Sequence, residues 1–520
     1  MNPSPDEPSQ TSRLFGNRWV RLSLLCLGGL ALLVAAFYAR EDWRGSLAWN
    51  NYRRAAKGRG LVLDLKSYIP TSVPDEQNFA ATPFVKSWFP SNGSILSQDD
   101  YTRLTNHISD YGSNPNKGHR QFVDLVGWQQ AFAALKKGEL KSGQRFDSGK
   151  YNADSRSRAA SDVLDGLKSD EPAFAELRAA SHRPLARYPV AYSDEDPWDL
   201  LLPHLNNIKT ICQRLGFKAC AELAAGHNED ALEDLRLLNY LSDSIQDEPL
   251  LISYLVRVRC IQIATQPVWE GLAEHRWTDA QLQEIRSHFQ HYDFLPGIEK
   301  SFNTERAAGI LTVELIRKRG FSVLVNLIDG NSLTIEREGP IGLISYIYPS
   351  GWYCQEELNL CQLLDGQSSG IMDTASKTIS PRRVASNAAD LSRAISGGTS
   401  HLASEHRILA AMLLPNLSKI PVRAAEAQTC ANQIALACAL ERYRLANGQF
   451  PETLDALTPR FIAHAPNDVF TGQPYKYRLA ANGQFVLYSV GWNEKDDGGV
   501  PGKTFFDQTQ GDWVWEYPPE

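Results

Sequence analysis

Gly366-Gln367-Ser368-Ser369-Gly370 has the G-x-S-x-G spacing that can place a nucleophilic serine on a sharp turn. That chemistry needs a strand before the serine and a helix after it. Here Glu356 to Leu364 reads as a helix and a polar stretch follows, so the match is read as accidental. His401 and His406 flank Leu402-Ala403-Ser404-Glu405. Five residues apart on a helix, they would point about 140° away from each other, the wrong geometry for a shared zinc ion. His288 and His291 share a helix face without a third ligand and read as a surface pair. Asp194 and Asp196 are close in sequence, but spacing alone assigns no acid–base role. No P-loop, G-x-G-x-x-G or H-E-x-x-H occurs. No catalytic or cofactor-binding residue is therefore assigned, and the sequence leans away from an enzyme.

The eight cysteines contain no C-x-x-C, which argues against a zinc ribbon or a dithiol redox centre. Cys212/Cys220 and Cys430/Cys438 are two helical turns apart, about 12 Å, beyond the reach of a disulfide on one straight helix. Most are expected to be small buried hydrophobes, with bridges between elements left open. With 520 residues, 43% hydrophobic, the chain is long enough for two or three folded domains. A net charge of −7 argues against a nucleic-acid partner, because phosphate binding needs a basic face.

Leu22 to Ala39 is an uncharged apolar run of 18 residues, flanked by Arg18, Arg21 and Arg40, with Trp19 and Tyr38 near its ends. At 1.5 Å per residue it spans about 27 Å, enough to cross a bilayer core. The run is too long, and its end Ala36-Phe37-Tyr38-Ala39 too bulky, for a cleaved signal peptide. A single transmembrane anchor is expected, in a bacterial inner membrane, with residues 1–21 as a cytoplasmic tail. Flanking Lys and Arg do not favour an exported ectodomain, but large domains translocate largely regardless of such charges.

Residues 40–160 read as a charged stalk followed by an irregular region. Residues 161–365 read as a helical domain. Leu205, Ile208, Cys212, Leu215, Ala219 and Leu223 make one apolar stripe. Gly226 stops that helix, Asn228 is placed to cap the next, Asp247-Glu248-Pro249 opens a third, and Thr278 with Gln281 has the capping-box spacing. The Ala225 to Leu232 turn resembles a tetratricopeptide unit, over one helix pair only. Residues 366–415, rich in Ser, Gly and Ala, read as a linker. A strong helix then runs from Pro421 to Ala446, with apolar residues on more than one face, and ends at Asn447-Gly448. Tyr475–Leu479 and Phe485–Tyr488 read as a hairpin around Asn482-Gly483. The expected fold is mainly α: a transmembrane helix, a helical-bundle ectodomain and a C-terminal α+β module at 416–520.

That module resembles the globular part of the major pseudopilins of type II secretion. The resemblance rests on Glu441, Tyr443, Asn447-Gly448, Pro451, Pro466, Asp468, Phe470, Gly472, Pro474-Tyr475 and Tyr477, then Tyr488-Ser489, Gly491, Asp497-Gly498-Gly499 and Asp512-Trp513. It covers about residues 421–515. The prepilin-peptidase signature is missing, because Gly16 precedes Asn17 and Arg21 stands where a glutamate belongs, so the filament role is not carried over. The resemblance implies a calcium site in the loop after the hairpin, held by Asp496, Asp497 and Asp512 with Ser489, Asn493 and Asp507 nearby. Such hard oxygens suit calcium, although Glu494 replaces the usual glycine. It also favours a periplasmic ectodomain. The expected role is non-enzymatic: contacts with the membrane and with other envelope proteins. A peripheral secretion-machine component and an enzyme built on the helical domain are the alternatives.

Overall fold

The computed structural model describes residues 18–89, 103–105, 119–148, 151–192, 200–320, 348–397, 399–480 and 483–517. Helices of ten or more residues, numbered in chain order, are α1 (Arg18–Gly58), α2 (Leu125–Lys136), α3 (Ala153–Gly166), α4 (Glu171–Ala180), α5 (Pro203–Ala225), α6 (Asn228–Asp243), α7 (Leu251–Ala273), α8 (Asp279–Gln290), α9 (Pro296–Arg319), α10 (Ser350–Ser368), α11 (Pro381–Ile395) and α12 (Ile420–Asn447). The strands are β1 (Met372–Asp373), β2 (Thr378–Ile379), β3 (Lys476–Leu479), β4 (Phe485–Ser489) and β5 (Trp513–Trp515). The protein is mainly helical, as its patterning dictates. Two compact units divide the chain: Met1–Leu63 with Ala308–Leu363 and Ile395–Leu413, and Asp64–Ala307 with Leu364–Ala394 and Leu414–Glu520.

In the first unit, α1 is long and apolar enough to cross a membrane, and none of its apolar window is buried. Beyond Ala39 the helix becomes amphipathic. Glu41, Trp49, Tyr52 and Ala56 are buried at three-, four- and eight-residue steps, one stripe of a 3.6-residue helix. Trp49, Tyr52 and Ala56 pack with Ile310 of α9 and Cys354 and Cys361 of α10. Val313, Ile316, Tyr353 and Leu409 form a neighbouring cluster. Two glycines permit the tightest crossing: a Cβ on Gly45 would lie 2.0 Å from the Gly351 carbonyl oxygen, and one on Gly351 would lie 2.1 Å from that of Glu41.

The second unit is built on the α5–α6 hairpin. Gly226 ends α5 with φ 87°, the left-handed geometry that only glycine adopts without cost. Asn228 does not cap α6; its side-chain amide donates to the Arg276 carbonyl instead. α7 starts at Leu251, later than Asp247-Glu248-Pro249 suggests, because Glu248 is drawn into the core to accept from His204 (2.8 Å) and Ser253. The capping box at Thr278 and Gln281 is present. α12 is buried almost all round from Ile420 to Glu441 and ends at Gly448 (φ 81°). Its Ala427, Cys430, Ile434 and Leu440 join residues of α5, α6, α7 and α8, and Phe485, Leu487 and Trp515 of the sheet, in one hydrophobic core. The sheet is antiparallel in the order β3-β4-β5, with Lys476 opposite Tyr488 and Tyr488 opposite Val514.

Two stretches differ from their sequence reading. Within the expected irregular region, α2 buries Leu125, Trp128 and Phe132 against Val163 of α3 and Phe217 of α5. Asp124 caps α2 by accepting the Gly127 N–H at 2.8 Å. The Ser/Gly/Ala-rich stretch expected as a linker holds the β1–β2 pair and α11, which buries Val384 and Leu391. The cysteines are all unbridged, seven of them buried and Cys26 exposed on α1.

Candidate functional site

In the second unit a cleft of about 810 Å³ lies between two extended segments and two helices. Pro70, Thr71 and Val73 form one extended wall, and Pro184 to Arg187 another. Prolines at 70, 74 and 184 keep these segments out of helix. Leu232, Leu235 and Asn239 of α6 and Ile285 of α8 line the opposite side. The segments are tied together at Asn78, whose side chain accepts the Arg187 N–H (2.8 Å) and donates to the Arg187 carbonyl (3.0 Å). The Arg187 guanidinium donates to the Pro70 carbonyl at 3.2 Å.

Polar groups rim an apolar floor. Arg236 binds Glu284 through two hydrogen bonds, 2.6 and 2.8 Å, and reaches Glu229 at 3.0 Å. Those bonds hold the Glu284 carboxyl below its ordinary value and Arg236 above its own. His288 Nε2 lies 2.8 Å from the Tyr292 hydroxyl and 3.6 Å from Asp243. Burial pushes the imidazole below its ordinary value, and Asp243 opposes that shift. Asn239 is 5% exposed, and its Oδ1 has no hydrogen-bond partner among the described residues. Nor, among those residues, does the backbone of Thr71, Ser72 or Val73 make a hydrogen bond. The cleft thus combines a backbone segment without hydrogen bonds among the described residues, an apolar floor and an unsatisfied amide oxygen.

The residues expected to hold calcium are spread along one loop and brace it. Asp512, 1% exposed, accepts the Asp497 N–H (3.2 Å) and the Gly499 N–H (2.6 Å). Asp497 accepts from Gly511 (3.1 Å) and Asn493 (3.2 Å) and pairs with Lys495 (2.5 Å). Asp496 accepts from Gly498 (3.0 Å) and the Tyr488 hydroxyl (3.2 Å). Ser489 donates to Asp468, away from these carboxylates. Asp507 closes its own turn by accepting from Lys503 and Thr509. Glu222, His227 and Asp230 come close enough together for a cation, but Glu222 already pairs with His227 (2.7 Å) and Lys218 (3.2 Å).

The other sequence candidates stay apart. Gly366 to Ser368 is the last turn of α10, so Ser368 has no preceding strand. His406 is buried against the Trp352 ring, whereas His401 is exposed. His291 bonds the Ser287 carbonyl, leaving His288 alone of that pair in the cleft. Asp194 and Asp196 lie outside the described residues. Arg236, Asn239 and Glu284 were not singled out by sequence. Arg236 and Glu284 are 48 residues apart on different helices, so no local spacing announces them. No family model, curated protein or solved structure matches the chain.

Proposed function

We propose that this chain is a single-pass protein of the bacterial inner membrane whose periplasmic ectodomain binds an extended segment of another envelope protein. The anchor reading is supported by the exposed apolar length of α1. The binding reading is carried by the cleft, where Thr71 and Val73, whose backbone makes no hydrogen bond among the described residues, line one wall and helices α6 and α8 line the other. An incoming strand can satisfy that backbone, as in strand addition, while Leu232, Leu235 and Ile285 receive alternate side chains. The non-enzymatic reading is supported by the pairing of Arg236 with Glu284 and of His288 with Tyr292. The pseudopilin-like reading of residues 416–520 is supported by a buried helix followed by a three-stranded antiparallel sheet. It supplies a scaffold for the cleft and no filament role.

The test is a peptide-display selection on the full-length protein in detergent, against the Thr71→Trp variant, which fills an exposed position of the cleft wall. Selected peptides should bind wild type and lose at least tenfold in affinity on the variant, with an unchanged melting temperature. Equal binding to both proteins, or no enrichment over empty micelles, sinks the reading.

A further inference from the structure

The geometry points to a second contact with the membrane: a basic and aromatic collar on the first unit that binds anionic phospholipid headgroups. This inference rests on the anchor reading of α1.

The depth of the collar is set by packing. Phe37 lies two residues before the end of the apolar run, and its ring is 6.1 Å from that of Trp352 on α10. The first turn of α10 is held there by Asp42, which accepts the Gly351 N–H at 2.7 Å, and by Glu41, which accepts the Trp352 indole N–H at 3.2 Å. α10 therefore starts level with the exit of the span. Its other end is remote, because Cys361 packs with Tyr52 and Ala56.

α9 runs antiparallel to α10 within this unit. Gly309 abuts Leu360, whereas Ile316 packs with Tyr353. Continuing that register one turn brings Arg317, Lys318 and Arg319 level with Ser350 to Trp352, and so with Glu41 and Asp42. Arg317 electrostatically opposes the upward pKa shifts that burial gives Tyr353 and Glu357, as a cation near the first turns of α10 would. All three cations are exposed, as are Arg40 (70%) and Arg44 (53%). Trp43, 69% exposed, is about 6 Å beyond Ala39, within the headgroup layer.

Glu41 offsets part of this charge, lying 3.5 Å from Arg40 and 3.4 Å from Arg44 while it accepts the Trp352 indole N–H. Asp42 is turned inward onto α10 and Glu357 is buried, so the excess positive charge rests on Arg317, Lys318 and Arg319, with Glu314 exposed one turn away. Exposed tryptophan and arginine at one depth match an interface whose outer layer is phosphate.

The test uses full-length protein in a Cys26→Ala background, in nanodiscs with or without 30% anionic lipid. Nitroxides are placed singly at Leu30→Cys, Lys318→Cys and Lys57→Cys. Lys57 is about 27 Å beyond Ala39 along α1. Nickel chelated to lipid headgroups should relax the label at 318 severalfold more than the label at 57, while oxygen relaxes the label at 30. Spin-labelled anionic lipid should associate preferentially, and Lys318→Glu should weaken that preference about fivefold or more. A label at 318 as remote as that at 57, or a preference unchanged in Lys318→Glu, overturns the collar and leaves the anchor standing. A label at 30 outside the bilayer overturns both.

Discussion

Asp42 on α1 caps the start of α10, 309 residues away, by accepting the Gly351 N–H at 2.7 Å. The same glycine lets the two helix backbones meet, since a Cβ there would overlap the Glu41 carbonyl. Gly351 thus serves both as the N–H donor to the cap and as the contact point.

Gly351→Val should open this crossing at a cost of about 1–3 kcal/mol, the usual range for overpacking. Asp42→Ala should cost about 1 kcal/mol through loss of the cap alone. Limited proteolysis of α10 in nanodiscs should accelerate in the order wild type, Asp42→Ala, Gly351→Val. Equal rates in all three would mean that this contact does not hold α10.

Burial pushes the Glu357 carboxyl up to about 8, with Glu314 adding to the shift and Arg317 and Arg53 opposing it. Its folded value is therefore above its unfolded value. The neutral form is favoured in the fold, so stability is highest below about pH 4.5 as far as this group is concerned. It falls as pH rises towards 8, where the folded group also ionises, and is flat above that. Burial likewise lifts Glu356 to about 7, against hydrogen bonds from the Leu409 and Ile408 N–H groups. Glu357→Gln should raise stability at pH 8 and flatten the slope between pH 5 and 8. A slope of unchanged size in chemical unfolding of the variant would contradict this assignment.

Arg156 is fully enclosed with Glu270, and also bonds Glu274 at 2.8 Å. Arg156→Ala leaves Glu270 buried without a cation and should cost about 3–5 kcal/mol. Glu270→Ala leaves Arg156 its bond to Glu274 and should cost less, and the double variant should cost less than the sum. Thermal unfolding of the three variants measures this directly, and strict additivity would show the charges to be independent.

Asp512→Asn replaces a carboxylate that receives two backbone N–H groups with an amide that can accept on one atom only. The expected loss is about 2 kcal/mol. Calcium would have to compete with these N–H groups and with the Lys495 ammonium, which places its affinity in the millimolar range. Titration calorimetry on the full-length protein checks this; a micromolar Kd would contradict the geometry.

Local pattern was enough to locate several elements. The stripe from Leu205 to Leu223, the glycine stops at 226 and 448, the Thr278–Gln281 box and the hairpin at 483 each depend on residues within one or two turns, so they are visible in the chain itself. Composition failed where burial is supplied from elsewhere. Val384 and Leu391 are the main buried residues of α11 in a stretch of small polar residues, and α2 needs Phe217 of α5 to cover Trp128.

The length of the apolar run, the mainly helical content and the absence of recognised catalytic motifs were determined by sequence alone, because span length, periodicity and motif spacing are one-dimensional quantities. The cleft was not. Thr71, Asn239 and Glu284 lie on three elements far apart in the chain, and only packing of the α6 and α8 faces against the extended segments brings them into one cleft. The tertiary structure likewise turned Asp497 and Asp512 towards backbone N–H groups, a choice of hydrogen-bond partner that residue type leaves open.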